Sequence, residues 1–382
     1  MNCAEIQRVF EGNFSDGGEQ GASVSVWVEE NEVVDLSGGF QDKENSTPWT
    51  SGTPVLVWSA TKGLAASCLL HALEGSNVAL DTRVKHLWPA FGTEGKQDVT
   101  IGMLLQHQAG LCALDNAPPV EDTEAVFSAI ERQTPAWSPG SAHGYHPRTF
   151  GFLVDGVLRK LTGGEDLGRY WARVFAGPLE LDFWIGTPEE MLLRVAPVFA
   201  PKGIMPKDDP FFSAFMTPGS LTSRSFASPK GLHSAGAMNT REARMASYPG
   251  FGGIGTARAL GKFYAMLACD GSWRGKRYFN AETVSRLRGA AVEGDDMVLC
   301  MKTAFTAGFM KDPVDVETGK KTRHTFGPNF CAFGHPGAGG SVAFADPSAR
   351  LGFAYVMNQM EPGVLPSKRA LRLISSWYDS NV

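Results

Sequence analysis

The short strand-like runs of this chain are confined to its two ends, and that placement constrains the fold more than any other feature. Near the start, residues 22–28 and 32–36 alternate apolar and polar side chains around a Glu-Glu-Asn turn, the pattern of a β-hairpin. Near the other end, residues 330–334, 341–345 and 351–358 are rich in β-branched and aromatic residues and separated by turn formers. The stretch between reads as helices and long Pro/Gly-rich loops. A lone hairpin is marginal in water, so the two ends need one shared core. The expectation is an α/β (α+β) protein in which 1–78 and 233–382 build one sheet domain and 79–232 form a mostly helical insertion. Helices are expected before the first hairpin, over about 59–74 with Gly75 as the stop, over 149–161 and 165–175, and over 368–378.

The 382 residues are 43% apolar and 20% charged, enough to build a large core and far from the composition of a disordered chain. Lysine and arginine number 35 against 40 acidic residues, a formal charge of −5, and nothing in that balance favours a nucleic-acid partner. No apolar run approaches the roughly 18 residues of a membrane span. The first residues lack the basic and apolar regions of a secretory leader, and the six cysteines show no C-x-x-C or zinc spacing. Both point to a cytoplasmic protein with reduced thiols.

Ser59-Ala60-Thr61-Lys62, at the start of an expected helix, is the only Ser-x-x-Lys in the chain. Residues at i and i+3 share a helix face, so the Lys62 amine can reach the Ser59 hydroxyl. A serine in a first helical turn sits beside unpaired N–H groups in a positive field, which favours an alkoxide and an oxyanion. An ordinary lysine is almost wholly protonated at pH 7. To act alone as a base it needs its pKa lowered by ~3 units, about 4 kcal/mol, by burial or by a second cation. The apolar residues 55–58 just before Ser59 supply a buried edge.

Two further segments carry candidate groups. His143-Gly144-Tyr145-His146-Pro147-Arg148 precedes an expected helix; by itself its tyrosine reads first as a buried ring at a loop–helix junction, and second as a group that could share a proton with Lys62. His143 and His146 have the spacing of a metal pair, but no further ligand completes it, so neither a metal nor a cofactor is expected. Gly334-His335-Pro336-Gly337-Ala338-Gly339-Gly340-Ser341 joins two expected strands; taken alone it reads as a tight hairpin whose glycines satisfy turn geometry, although such a backbone can also aim N–H groups at an oxyanion. Gly250-Phe251-Gly252-Gly253-Ile254-Gly255 fits G-x-G-x-x-G, but no convincing strand precedes it and no βαβ unit surrounds it, so it does not read as a dinucleotide site. There is no G-x-S-x-G elbow.

Taken in order, these segments resemble the serine β-lactamase-like superfamily, above all class C β-lactamases and family VIII carboxylesterases, with penicillin-binding proteins as wider kin. The resemblance runs through 57–62, 78–81, 87–89, 101–111 (similar to an "LLxHxSGL" segment), 137–140, Tyr145, 253–258 and 335–341. It implies an antiparallel sheet flanked by helices, with the active site in the crevice beside the inserted helical domain. It also implies Ser59 as acyl-forming nucleophile, Lys62 as its proton partner, and Tyr145 as general base and leaving-group acid. The backbone N–H groups of Ser59 and Ala338 would form the oxyanion hole, and His335, Gly337 and Gly339 would lie against substrate.

The pattern departs from the family in two places. Tyr-x-Asn reads Tyr145-His146-Pro147, and His335 stands where Lys-Thr-Gly has lysine, which removes a permanent cation suited to a β-lactam or peptide carboxylate. Lys302-Thr303-Ala304 is a rival for that motif but lacks the Gly-rich turn. The expectation is therefore a serine hydrolase of small-molecule carboxylic esters with small to medium acyl groups. A β-lactamase or D-amino-acid/peptide hydrolase, an acyltransferase, and a non-catalytic scaffold are the alternatives.

Overall fold

A computed structural model describes residues 2–15, 17–202 and 208–381. Eight strands form one antiparallel sheet: β1 (Gly21–Val28), β2 (Asn31–Gly39), β3 (Val292–Asp295), β4 (Lys302–Phe305), β5 (Met310–Lys311), β6 (Phe333–Pro336), β7 (Val342–Asp346) and β8 (Leu351–Met357), in the order β2-β1-β8-β7-β6-β5-β4-β3. β1 from one end of the chain lies beside β8 from the other, with Val24 opposite Tyr355 and Val26 opposite Phe353.

All seven residues of β8 and all five of β7 are buried, so both faces of the sheet centre are covered. Five helices matter for the site: α1 (Ala4–Ser15), α2 (Thr61–Glu74), α3 (Thr149–Thr162), α4 (Ala257–Ala268) and α5 (Lys368–Asn381). Phe10 and Phe14 of α1 pack near Gly38, which pairs with Ala22 and so shares the face of Val24. α4 lies on the opposite face, where Gly261 approaches Ser25 and Trp27. A Cβ on Gly352 would sit 2.2 Å from the Gly261 carbonyl oxygen, so bare backbone is what lets α4 lie this close to the sheet. α1 packs against α5.

Several elements differ from the sequence reading. Ser59 lies in a 3₁₀ turn, Trp58–Ala60, and α2 begins only at Thr61. The expected strand 330–334 runs instead from Phe333 to Pro336, because its pairing with β7 extends from Phe333–Ala345 to Pro336–Val342. The expected helix 165–175 starts at Leu167, where the Asp166 carboxylate caps the Arg169 N–H at 3.1 Å, and then widens into a π-turn over Ala172–Ala176. The strands β3, β4 and β5 were not expected at all. A second, three-stranded sheet sets Gly253–Gly255 between Val55–Leu56 and Phe183–Ile185, tying the strand that leads to Ser59 to the middle of the chain.

Candidate active site

The chain reaches Ser59 through a strained step. Trp58 has φ +49°, a conformation costly for a bulky side chain and of a kind that clusters at functional sites. The turn is held from both sides. The Thr61 hydroxyl donates to the Trp58 carbonyl at 2.5 Å and accepts the Gly253 N–H at 2.8 Å, and the Val57 N–H donates to the Gly253 carbonyl at 2.9 Å. Ser59 is left half-buried at the wall of a cavity of about 590 Å³.

Lys62 is fully buried one turn on, with Nζ 3.1 Å from Ser59 Oγ, 2.8 Å from the Pro147 carbonyl and 2.7 Å from the Gly250 carbonyl. Desolvation pushes its pKa well below the ordinary lysine value, and the nearby Arg148 cation adds to the effect. A neutral amine suits this geometry: two N–H groups donate to the carbonyls, and the lone pair is left for the serine proton.

Tyr145 completes the group. Lys62 Nζ lies 4.9 Å from its ring centroid. Burial raises the phenol's pKa above the ordinary tyrosine value, and the neighbouring Ser59 hydroxyl opposes that rise. The structure thus brings Ser59, Lys62 and Tyr145 together. Ala338 lines the same cavity as Ser59, and neither backbone N–H has a hydrogen-bond acceptor among the described residues.

His335 is placed differently from the sequence reading. It is 1% exposed on β6, beneath Tyr145 with ring centroids 5.9 Å apart, and is not on the cavity wall. Its Nδ1–H donates to the Pro336 carbonyl at 2.7 Å, and Nε2 has no partner among the described residues. Burial, reinforced by Lys62, lowers its pKa to about 3. A neutral imidazole behind the tyrosine replaces the expected substrate contact, because the inward-facing position on this strand points into packed protein. Gly337 acts sterically: a Cβ there would lie 2.1 Å from the Val57 carbonyl oxygen, so glycine lets the hairpin touch the turn that carries Ser59. Gly339, at φ +88°, turns the hairpin against Met360.

The paired histidines are already engaged. His146 donates from Nδ1 to the Gly144 carbonyl at 2.6 Å and accepts the Leu111 N–H on Nε2 at 3.0 Å, and burial lowers its pKa to about 3. His143 Nε2 meets the Thr303 hydroxyl at 2.9 Å. In Lys302-Thr303-Ala304, Lys302 is exposed beside Asp295 at 3.2 Å, while Thr303 is buried and donates to Asp296 at 3.0 Å. That stretch is therefore a brace behind Tyr145 and not a substrate-facing motif.

Three contributors were not assigned from sequence. Gly250, within the G-x-G-x-x-G stretch set aside above, supplies a carbonyl to Lys62. Asp296 anchors the Tyr145 backbone, and Arg148 is the second cation near the amine.

Similarity to known proteins agrees with this geometry. The Beta-lactamase family model matches residues 6–375. The chain belongs to the beta-lactamase family. It is 29% identical over 367 residues to the "Esterase/beta-lactamase LipL" of Mycobacterium tuberculosis, covering 93% of this chain and 81% of that protein. Among solved structures, it resembles a family VIII carboxylesterase at 33% identity, with a TM-score of 0.87 and 98% and 96% of the two chains covered. A penicillin-binding protein homologue from Caulobacter crescentus is 33% identical, with a TM-score of 0.85 and 99% and 97% covered. Among the described residues of this beta-lactamase family member, no helix is long and apolar enough to cross a membrane.

Proposed function

We propose that this protein is a serine hydrolase of carboxylic esters, acting through an acyl-enzyme on Ser59. The observation that carries the reading is the fully buried Lys62, with two carbonyls taking its N–H groups and Ser59 Oγ at 3.1 Å. Ser59 Oγ bonds to the ester carbonyl carbon as its proton passes to the Lys62/Tyr145 pair. The oxyanion rests on the N–H groups of Ser59 and Ala338. The alcohol C–O bond breaks, with Tyr145 protonating the departing alkoxide. Water then attacks the acyl carbon, and the proton returns to Ser59 along the reverse path. The base role is assigned to the pair and not to either residue alone. The chain divides for this purpose into a sheet domain (1–78 and 233–382) and a helical insertion (79–232) that meet at the cleft. The family VIII carboxylesterase named above supports ester over amide chemistry, as does the loss of the motif lysine at position 335. Six cysteines, all unpaired, fit a reducing cytoplasmic setting.

Intact-mass analysis after incubation with a fluorophosphonate tests the nucleophile. One adduct is expected on the wild type and none on Ser59→Ala; labelling that persists in the variant removes Ser59 from the role. Turnover of 4-nitrophenyl butyrate should far exceed that of nitrocefin, and the reverse ranking makes the protein a β-lactamase.

A further inference from the structure

We propose that the cavity beside Ser59 takes esters whose apolar body carries a carboxylate, and that Arg148 recognises it. The inference rests on the reading of Ser59 as nucleophile, because it concerns what that nucleophile is offered. Phe215, Phe226, Phe251 and Met360 give the cavity its apolar walls. Among the described residues, Arg148 is the only permanently charged side chain on the lining.

Arg148 is an unusual cation. It is 6% exposed, yet forms no ion pair among the described residues. Its guanidinium donates only to neutral carbonyls, those of Pro229 at 3.1 Å, Leu232 at 3.4 Å and Gly231 at 2.6 Å, and stacks 4.7 Å from the Phe251 ring centroid. Of the five guanidinium N–H groups, three are used, which leaves two for a ligand. The exposed carboxylate of Glu121 attracts this cation from the surface without pairing with it.

His233, the other basic group on the lining, does not compete. It accepts the Gly231 N–H on Nε2 at 3.0 Å, and burial and Arg148 hold its pKa below the ordinary histidine value. Taking a cation out of water costs several kcal/mol unless an anion compensates, and here no protein anion does so at contact distance. A carboxylate on the substrate would supply the missing charge through short, charge-assisted hydrogen bonds. The buried, neutral His335 cannot fill this role, which leaves Arg148 as the partner for a carboxylate.

The test uses two pairs of esters matched in shape and reactivity. With the charge on the acyl side, the pair is the 4-nitrophenyl esters of 4-(carboxymethyl)phenylacetic and 4-ethylphenylacetic acids. With the charge on the alcohol side, it is 4-(carboxymethyl)phenyl and 4-ethylphenyl butyrate. In one of the pairs, kcat/KM of the wild type should favour the carboxylate by about tenfold or more. The ratio should fall to one or below in Arg148→Met, survive in part in Arg148→Lys, and shrink in about 0.5 M NaCl. Ratios within one variant cancel any loss of folded protein. A wild-type ratio of one or less in both pairs overturns the proposal, and so does a preference that Arg148→Met leaves intact. Binding of the same intact esters to Ser59→Ala, read by calorimetry, gives the ratio without turnover. If no ester is hydrolysed the hydrolase reading fails, while the carboxylate preference is still decided by the binding ratio.

Discussion

Asp296 holds Tyr145 by its backbone and not by its phenol: the Tyr145 N–H lies 3.0 and 3.1 Å from the two carboxylate oxygens. The same carboxylate accepts the N–H groups of Val298 at 2.9 Å and Leu299 at 2.8 Å and the Thr303 hydroxyl at 3.0 Å. The aim of the phenol is thus set at the backbone, a full side-chain length from the chemistry. Asp296→Ala should lower kcat for 4-nitrophenyl butyrate by about 10- to 100-fold with little change in KM, because a shift of the phenol is felt only in the reacting complex. Several buried donors also lose their acceptor, so stability should fall by about 2–4 kcal/mol. Full kcat in variant protein shown to be folded would remove Asp296 from this positioning role.

The Lys62 amine must be neutral to take a proton, so kcat/KM should rise with pH along a limb well below that of an ordinary lysine. Arg148 favours the neutral form by repulsion. Removing its charge in Arg148→Met raises the Lys62 pKa and moves that limb to higher pH, in a profile taken with an uncharged ester. A limb that stays in place, or moves downward, contradicts the coupling.

Three imidazoles are buried and held neutral around the site: burial lowers His146 and His335 to about 3 and holds His107 well below its ordinary value. In the unfolded chain each titrates near 6.5, the ordinary value. Between 6.5 and about 3 the unfolded state therefore binds more protons, and stability present above 6.5 is lost as pH falls. Each imidazole adds a slope of about 1.4 kcal/mol per pH unit once its unfolded form is charged. Urea titrations from pH 7 to 4 should show this decline, and His335→Gln should flatten it by about one proton. An unchanged slope would mean that His335 is not held neutral in the folded state.

Gly337→Ala places a methyl 2.1 Å from the Val57 carbonyl oxygen, which cannot be relieved by rotating a side chain. The hairpin must move away from the turn that carries Ser59, taking the Ala338 N–H with it. The expected result is a loss of about 10²-fold or more in kcat, the scale of a lost oxyanion donor, with about 1–3 kcal/mol of destabilisation. Wild-type kcat in this variant would show that the Ala338 N–H carries no part of the oxyanion charge.

What could be read in advance follows a physical divide. The Ser59–Lys62 contact depends on helical spacing, a local property, and survived the shift of Ser59 from the α-helix into a 3₁₀ turn. The outer hairpin and the strands β7 and β8 were legible because their residues are apolar and β-branched. β3 and β4 were not: Val-Glu-Gly-Asp and Lys-Thr-Ala-Phe carry charge and glycine and are strands only because a sheet edge receives them. The roles of Gly250, Arg148 and Asp296 come from backbone carbonyls or from contacts across more than eighty residues, and no local pattern encodes those. Reading His335 as a substrate contact failed for a related reason, since motif position does not reveal which side of a strand faces the opening.

The pairing of β1 with β8 also has a cost during synthesis. The first hairpin leaves the ribosome long before its central neighbour exists, with one edge of β1 offering unpaired N–H and C=O groups to any passing strand. Completion of the sheet therefore waits until residues 351–357 have emerged, and until then that edge stands open to a wrong partner.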